Sequence, residues 1–129
     1  MAKKSVADYQ VLFDGGFTLD AASNDHEKSL TFILSTNFKI EDGIRKPILA
    51  FHAWPQQNSH FKVRMNSRDI LSWDLSAGDV RGLWDPFNGS VPFPNNASTP
   101  NNVPVVFVIT QGKVQFGQVV IWYQVEVED

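Results

Sequence analysis

Val105-Val106-Phe107-Val108-Ile109-Thr110, then Gln111-Gly112, a short Val114-to-Phe116 stretch, and Val119-Val120-Ile121-Trp122-Tyr123-Gln124-Val125-Glu126-Val127 form the densest apolar sequence in the chain. It reads as strand, turn, strand, with two arms folded back on each other. Side chains alternate across a strand, so Val119, Ile121, Tyr123, Val125 and Val127 share one face. Val120, Trp122, Gln124, Glu126 and Glu128 share the other. The odd face is wholly apolar and belongs in a core. Each Val, Ile or Phe buried there contributes roughly 1.5 to 3 kcal/mol before the entropy of ordering is subtracted.

Working outward, the same alternation recurs. Phe61, Val63 and Met65 lead through Asn66-Ser67-Arg68-Asp69 to Ile70-Leu71-Ser72-Trp73-Asp74-Leu75, the clearest short-turn hairpin in the chain. Ile48, Ala50, His52 and Trp54 alternate with Leu49, Phe51 and Ala53, between Pro47 and Pro55. Leu30, Phe32 and Leu34 share one face of a half-buried strand, and Phe38 and Ile40 continue the pattern to Glu41-Asp42-Gly43. Tyr9 to Phe13 and Phe17 to Leu19, around Asp14-Gly15-Gly16, read as a first hairpin. Ala21 to Leu30 has too few apolar positions at helical spacing for more than one turn.

Eight or nine short strands, with turn signals about every 8 to 12 residues, predict an all-β, antiparallel two-sheet β-sandwich. A jelly roll of about eight strands is the first choice. With 129 residues, 43% of them hydrophobic, residues 1–129 are expected to fold as a single domain with one core.

The pattern stops at Pro86. From there to Pro104 lie five prolines and many asparagines, anchored only by Phe87, Val91, Phe93, Ala97 and Val103. A long loop of this kind inside a compact domain is usually functional or mobile. Trp84 stands at its mouth, before Asp85-Pro86-Phe87. An exposed Trp84 with Phe87 and Phe93, flanked by Asp85, Asn88, Asn95 and Asn96, would supply apolar area for a sugar face and short polar groups for its hydroxyls. The competing reading folds Phe87 and Phe93 inward as plugs. Trp54, Trp73 and Trp122 lie in strand-like alternation and read as core or inter-sheet packing.

The run from Phe61 to Trp73, followed by the long loop and the terminal pair Val103-to-Thr110 and Val119-to-Gln124, resembles the ending of galactose-binding-like jelly-roll modules, domains of the carbohydrate-binding-module kind. The resemblance covers roughly the last seventy residues. It implies a sandwich that binds carbohydrate through loops at one end, and it assigns no contact to a particular residue.

Other chemistries find little support. There are no cysteines, so disulfides and thiolate metal sites are excluded. His26, His52 and His60 match no ligand spacing, although His52 and His60 flank one loop and would approach each other if their strands paired. Asp14, Asp20, Asp25 and Glu27 form an acidic group able to hold calcium, without the spacing of a calcium loop. No cofactor is expected. Neither a Gly-x-Ser-x-Gly elbow nor a phosphate loop occurs, so a serine enzyme would have to use an unmarked serine. The net charge is -3 and the basic residues are scattered, which argues against nucleic acid.

No apolar run is long enough to span a membrane, and the N-terminus has no secretory pattern, so a cytoplasmic location or a non-classical export route is expected. Asn88-Gly89-Ser90 and Asn96-Ala97-Ser98 fit the glycosylation sequon and read as loop asparagines. The functional expectation is a non-enzymatic carbohydrate-binding module using the Trp84-to-Asn102 end. One alternative is a structural subunit of a homo-oligomeric or surface assembly, in which the same loop, Trp122 and the N-terminal arm Met1 to Ala7 contact other copies of the chain. Another is a small hydrolase with an unmarked active site.

Overall fold

The computed structural model describes residues 3–34, 46–87 and 102–128, and their side chains over 6–34, 46–87 and 102–125. Within these residues there are eight strands and no helix: β1 (Lys3–Asp20), β2 (Glu27–Ile33), β3 (Ile48–Pro55), β4 (Ser59–Met65), β5 (Arg68–Leu75), β6 (Arg81–Pro86), β7 (Asn102–Gln111) and β8 (Lys113–Glu128). They form two antiparallel sheets of four, in the orders β1-β8-β3-β6 and β2-β7-β4-β5. Strands one and eight, two and seven, three and six, and four and five are paired, the nested order of a jelly roll.

The core lies where the inward faces meet. Leu30 and Phe32 of β2, Leu49, Phe51 and Ala53 of β3, Phe61, Val63 and Met65 of β4, and Val103, Val105, Phe107 and Ile109 of β7 are all buried. The period-two pattern of these segments forces this: only one face of each strand is apolar enough to bury. Phe51, Phe61, Phe107 and Phe116 interlock at the centre. The Phe51 and Phe107 rings meet edge to face at 5.2 Å, and those of Phe61 and Phe116 at 5.0 Å.

Two of the hairpins expected from sequence do not form. β7 and β8 belong to opposite sheets, so the Val105-to-Val127 arms face each other across the core instead of pairing. Gly112, between them, has φ of 82°. A Cβ there would collide with Ser59 Oγ and lie 2.5 Å from Asn58 O. The turn is therefore locked against the β3–β4 connection, and Ser59 Oγ also accepts a 3.1 Å hydrogen bond from Lys113 N. Nor does Asp14-Gly15-Gly16 reverse the chain. β1 runs through it as one strand along β8, with register shifts between Val11 and Phe13 and between Phe13 and Gly16.

These shifts have a counterpart on β8. Val114 and Phe116 point inward at even positions, whereas Val119, Ile121, Tyr123 and Val125 point inward at odd ones. The change of phase falls at Gly117 and Gln118, where Gln118 has φ of 51° and β3 also slips register between Ala50 and His52. A Cβ on Gly117 would sit 2.7 Å from Gly15 O, so this crossing requires glycine. β1 inverts in step, packing Val6 on the core before the irregular stretch, Leu12 and Phe13 within it, and Phe17 and Leu19 after it.

The β4–β5 hairpin forms as expected, with a tighter turn. Asn66 (φ 53°) and Ser67 (φ 65°) are both left-handed, as a two-residue hairpin turn requires, and β5 already starts at Arg68. At the other side of the sandwich, the Gln10 side chain imitates a strand. Its Nε2 donates to Ile33 O at 2.9 Å and its Oε1 accepts from Ile33 N at 2.8 Å, closing the edge of β2.

Candidate functional site

Tryptophan placement singles out one surface. Trp73 packs half-buried on Phe51 and Phe61, as expected. Trp54 and Trp122 do not join the core: they are 50% and 46% exposed, and Trp84 is 66% exposed. All three project from the outer face of the β1-β8-β3-β6 sheet. Inward positions on these strands belong to Leu49, Phe51, Ala53, Val119 and Ile121, which leaves Trp54 and Trp122 on the opposite parity.

The cross-strand register builds a platform. Tyr9, Trp122, Ile48 and Pro86 stand side by side in one row, and Val11, Val120, Ala50 and Trp84 in the next. Tyr9 and Trp122 touch with ring centroids 4.9 Å apart. Two depressions open along this face. One of about 380 Å³ is bounded by Trp84, Trp122, Val120 and Ala50. The other, of about 440 Å³, is bounded by Trp54, Gln115 and Arg81. His52, Gly82 and Gln118 line both.

The residues expected at the loop end divide. Trp84 joins the platform. Asp85 is on the opposite parity of β6, paired with buried Leu49, and partial burial pushes its carboxyl above the usual carboxylate range, with Lys46 pulling part of the way back. Phe87 is 3% exposed and packs in the core, with its N–H donating to Pro47 O at 2.9 Å. It is the inward plug, and its ring is not on the platform. Asn88, Phe93, Asn95 and Asn96 lie outside the described residues. Tyr9, His52, Trp54 and Gln118 were not anticipated as site residues, and Trp122 was anticipated only as a contact between copies of the chain. Their signal was present in the alternation, since Trp54 shares a strand face with His52 and Trp122 shares one with Gln124.

Other candidate chemistries are dispersed. His52 and His60 stand on outer faces of opposite sheets and do not approach each other. Among the described residues no three His, Cys, Asp or Glu side chains converge to hold a metal. Asp20 Oδ1 instead accepts from Ala22 N, and Asp25 N donates to Ser23 Oγ, both within the β1–β2 loop.

On the β4–β5 face, His60 Nδ1 lies 2.7 Å from Asp74 Oδ1, and His60 Nε2 lies 2.8 Å from Ser72 Oγ. These contacts have the order of a nucleophilic triad. However, Asp74 is 89% exposed, and the cleft touching it is lined by Trp73, Leu75, Arg81, Leu83 and Trp84, without Ser72 or His60. The trio links β4 and β5 on the outer face of their sheet. Among the described residues, no helix is long and apolar enough to cross a membrane.

No protein-family model matches the chain, and no curated protein matches it by sequence. Solved structures share its fold. Dimeric latent PorU from Porphyromonas gingivalis aligns with 95% of the chain at TM-score 0.56 and 17% identity, and BuGH86 in complex with neoagarooctaose aligns with 99% at TM-score 0.61 and 9% identity. The chain spans 13% and 20% of those two proteins. The xylan-binding module CBM15 matches at nearly its full size, with 93% of this chain and 97% of that one aligned at TM-score 0.53 and 11% identity. At such identities the likeness is one of fold. The jelly-roll resemblance to carbohydrate-binding modules, first visible in the C-terminal half, thus extends over almost the whole chain.

Proposed function

We propose that the chain is a non-enzymatic carbohydrate-binding module whose ligand lies on the outer face of the β1-β8-β3-β6 sheet. One observation carries this reading: three of the four tryptophans leave the core and share that face. Exposing an indole forgoes the stabilisation of burying it, and an exposed cluster of large apolar groups marks a surface that meets something. Flat indole and phenol rings suit the apolar face of a pyranose, while the amides of Gln115 and Gln118 and the imidazole of His52 can bond its hydroxyls. The fold shared with a xylan-binding module is compatible with such a ligand.

Affinity electrophoresis and calorimetry against a panel of soluble polysaccharides test this reading. The wild type is expected to bind at least one of them, and Trp84→Ala and Trp122→Ala to weaken that binding with the fold intact. No binding by the wild type to any polysaccharide would remove the proposal. A second reading has its own observation: Tyr9, Val11 and Trp122 make a contiguous apolar strip, which also suits contact with another copy of the chain in a homo-oligomer. Light scattering at high concentration separates the two, since a dimer that dissociates in Tyr9→Ser or Trp122→Ser would favour assembly.

A further inference from the structure

Resting on the carbohydrate reading, we infer that the two depressions on the β1-β8-β3-β6 face are one continuous channel. In it a neutral, linear polysaccharide is held along its length, and Gly82 keeps the passage open. The same three residues, His52, Gly82 and Gln118, line both depressions, so a ligand leaving one enters the other. The tryptophans mark its two ends: Trp122 with Trp84 at one, Trp54 at the other. From the row of Ile48, opposite Trp122, to Trp54 is six residues of β3, about 20 Å of strand at the usual rise. That length exceeds a disaccharide and fits a run of sugar rings.

The floor is made for close approach. Ala50, Gly82 and Gly117 present little or no side chain between the aromatic ends. Gly82 is not held by backbone conformation, since its φ is not in the left-handed region, and a Cβ there would meet His52 Cδ2 at 3.5 Å, an ordinary contact. A Cβ at this position is therefore compatible with the fold and would project into the passage beside His52. Absence of one at a site that tolerates it is what an open channel needs.

The charge pattern selects the ligand class. Among the described residues lining the two depressions Arg81 is the one Lys, Arg, Asp or Glu, and its Nη2 is 2.8 Å from Asp79 Oδ2. With its charge balanced by Asp79 at this edge, the rest of the lining offers amides, an imidazole and indole rings, a set matched to uncharged hydroxyls and to the flat ribbon of an equatorially linked glycan. Among the described lining residues a glycan rich in carboxylates or sulfates would meet no lysine or arginine other than the paired Arg81.

Calorimetry with xylo- and cello-oligosaccharides, from disaccharide to hexasaccharide, tests the channel. For the glycan that binds, affinity should climb at least about tenfold between disaccharide and hexasaccharide. Gly82→Leu, checked by thermal melting, should flatten that ladder so that the hexasaccharide binds no tighter than the disaccharide, and Gly82→Ala should fall between. Trp54→Ala should cost the hexasaccharide more than the disaccharide. A flat ladder in the wild type, or a steep one that survives Gly82→Leu, overturns the channel. If the protein still binds a polysaccharide in either case, the carbohydrate reading stands without it. Binding to no oligosaccharide and no polysaccharide overturns both, and binding confined to an anionic polysaccharide overturns the assignment to neutral chains.

Discussion

The two outer faces of this sandwich share one core and one alternating pattern, yet they present opposite chemistry. The β1-β8-β3-β6 face carries Tyr9, Val11, Trp54, Trp84 and Trp122 into solvent. The β2-β7-β4-β5 face carries Ser29, Thr31, Lys62, Arg64, Ser72 and Asp74 together with the aliphatic Ile33, Val106 and Val108 but no tryptophan or tyrosine, and on it His60 is bonded to Asp74 and Ser72 and Arg64 Nε is 3.0 Å from Asp69 Oδ1. On the second face His60, Ser72 and Asp74, and Arg64 and Asp69, are bonded to one another. The first forgoes burial of its rings. What sets the first face apart is a cluster of exposed aromatic rings, the feature that the proposed glycan contact would use.

The sharpest way to break this comparison is to show that the parity of β8 is wrong, because that strand assigns residues to the core or to the aromatic face. Ile121→Asp would bury a carboxylate without a partner and is expected to cost at least about 4 kcal/mol, leaving little folded protein in urea titrations. An Ile121→Asp variant that melted cooperatively at the wild-type midpoint would show that Ile121 faces solvent.

Next in size is the effect on binding. Trp84→Ala, at a side chain that is mostly exposed, should lower polysaccharide affinity about tenfold or more, near 1.4 kcal/mol, with a small shift in melting temperature. If affinity held and stability fell, Trp84 would be a structural residue.

The polar face supplies the control. His60→Ala removes a surface brace and should cost under about 1 kcal/mol in stability, with glycan affinity unchanged. Esterase activity towards an activated ester in the wild type, lost in His60→Ala and Ser72→Ala, would show that the trio is chemically competent and that this face is the functional one.

The smallest effect concerns Asp85, beneath the edge of the aromatic face. Burial raises its folded-state pKa, so the fold favours the protonated form. The destabilisation is then fully present above the folded value and disappears as pH falls below the ordinary 3.8. Asp85→Asn should therefore raise the melting temperature slightly at neutral pH, with the gain vanishing in acid. A gain that persisted at low pH would point to a cause other than ionisation.

The inward residues were legible in sequence because alternation is a local property. Phe61, Val63 and Met65, or Leu49, Phe51 and Ala53, announce a buried face without reference to any partner strand. Pairing was not legible for β7 and β8. A strand, a glycine turn and a strand describe a hairpin and a crossing between sheets equally well, and Gly112 is fixed in its role by Ser59 and Asn58, more than fifty positions away. Asn66-Ser67 could be read because its turn closes on neighbours in sequence. The aromatic face was half legible. Trp84 stood out at a strand end, but Trp54 and Trp122, in strand-like alternation, read as core or inter-sheet packing, although a ring with an N–H is suited to burial and to exposure alike.

One consequence of the phase change at Gly117 and Gln118 concerns the meaning of position along β8. Before it, even-numbered residues build the core; after it, odd-numbered ones do. The bulge thus acts like a frameshift in a text whose two halves are read on opposite beats. Deleting Gln118 would put both halves on one beat, and either Val114 and Phe116 or Ile121 and Tyr123 would have to exchange places with their outward neighbours. The single extra residue is what lets one strand line the core from end to end and still deliver Trp122 to the surface.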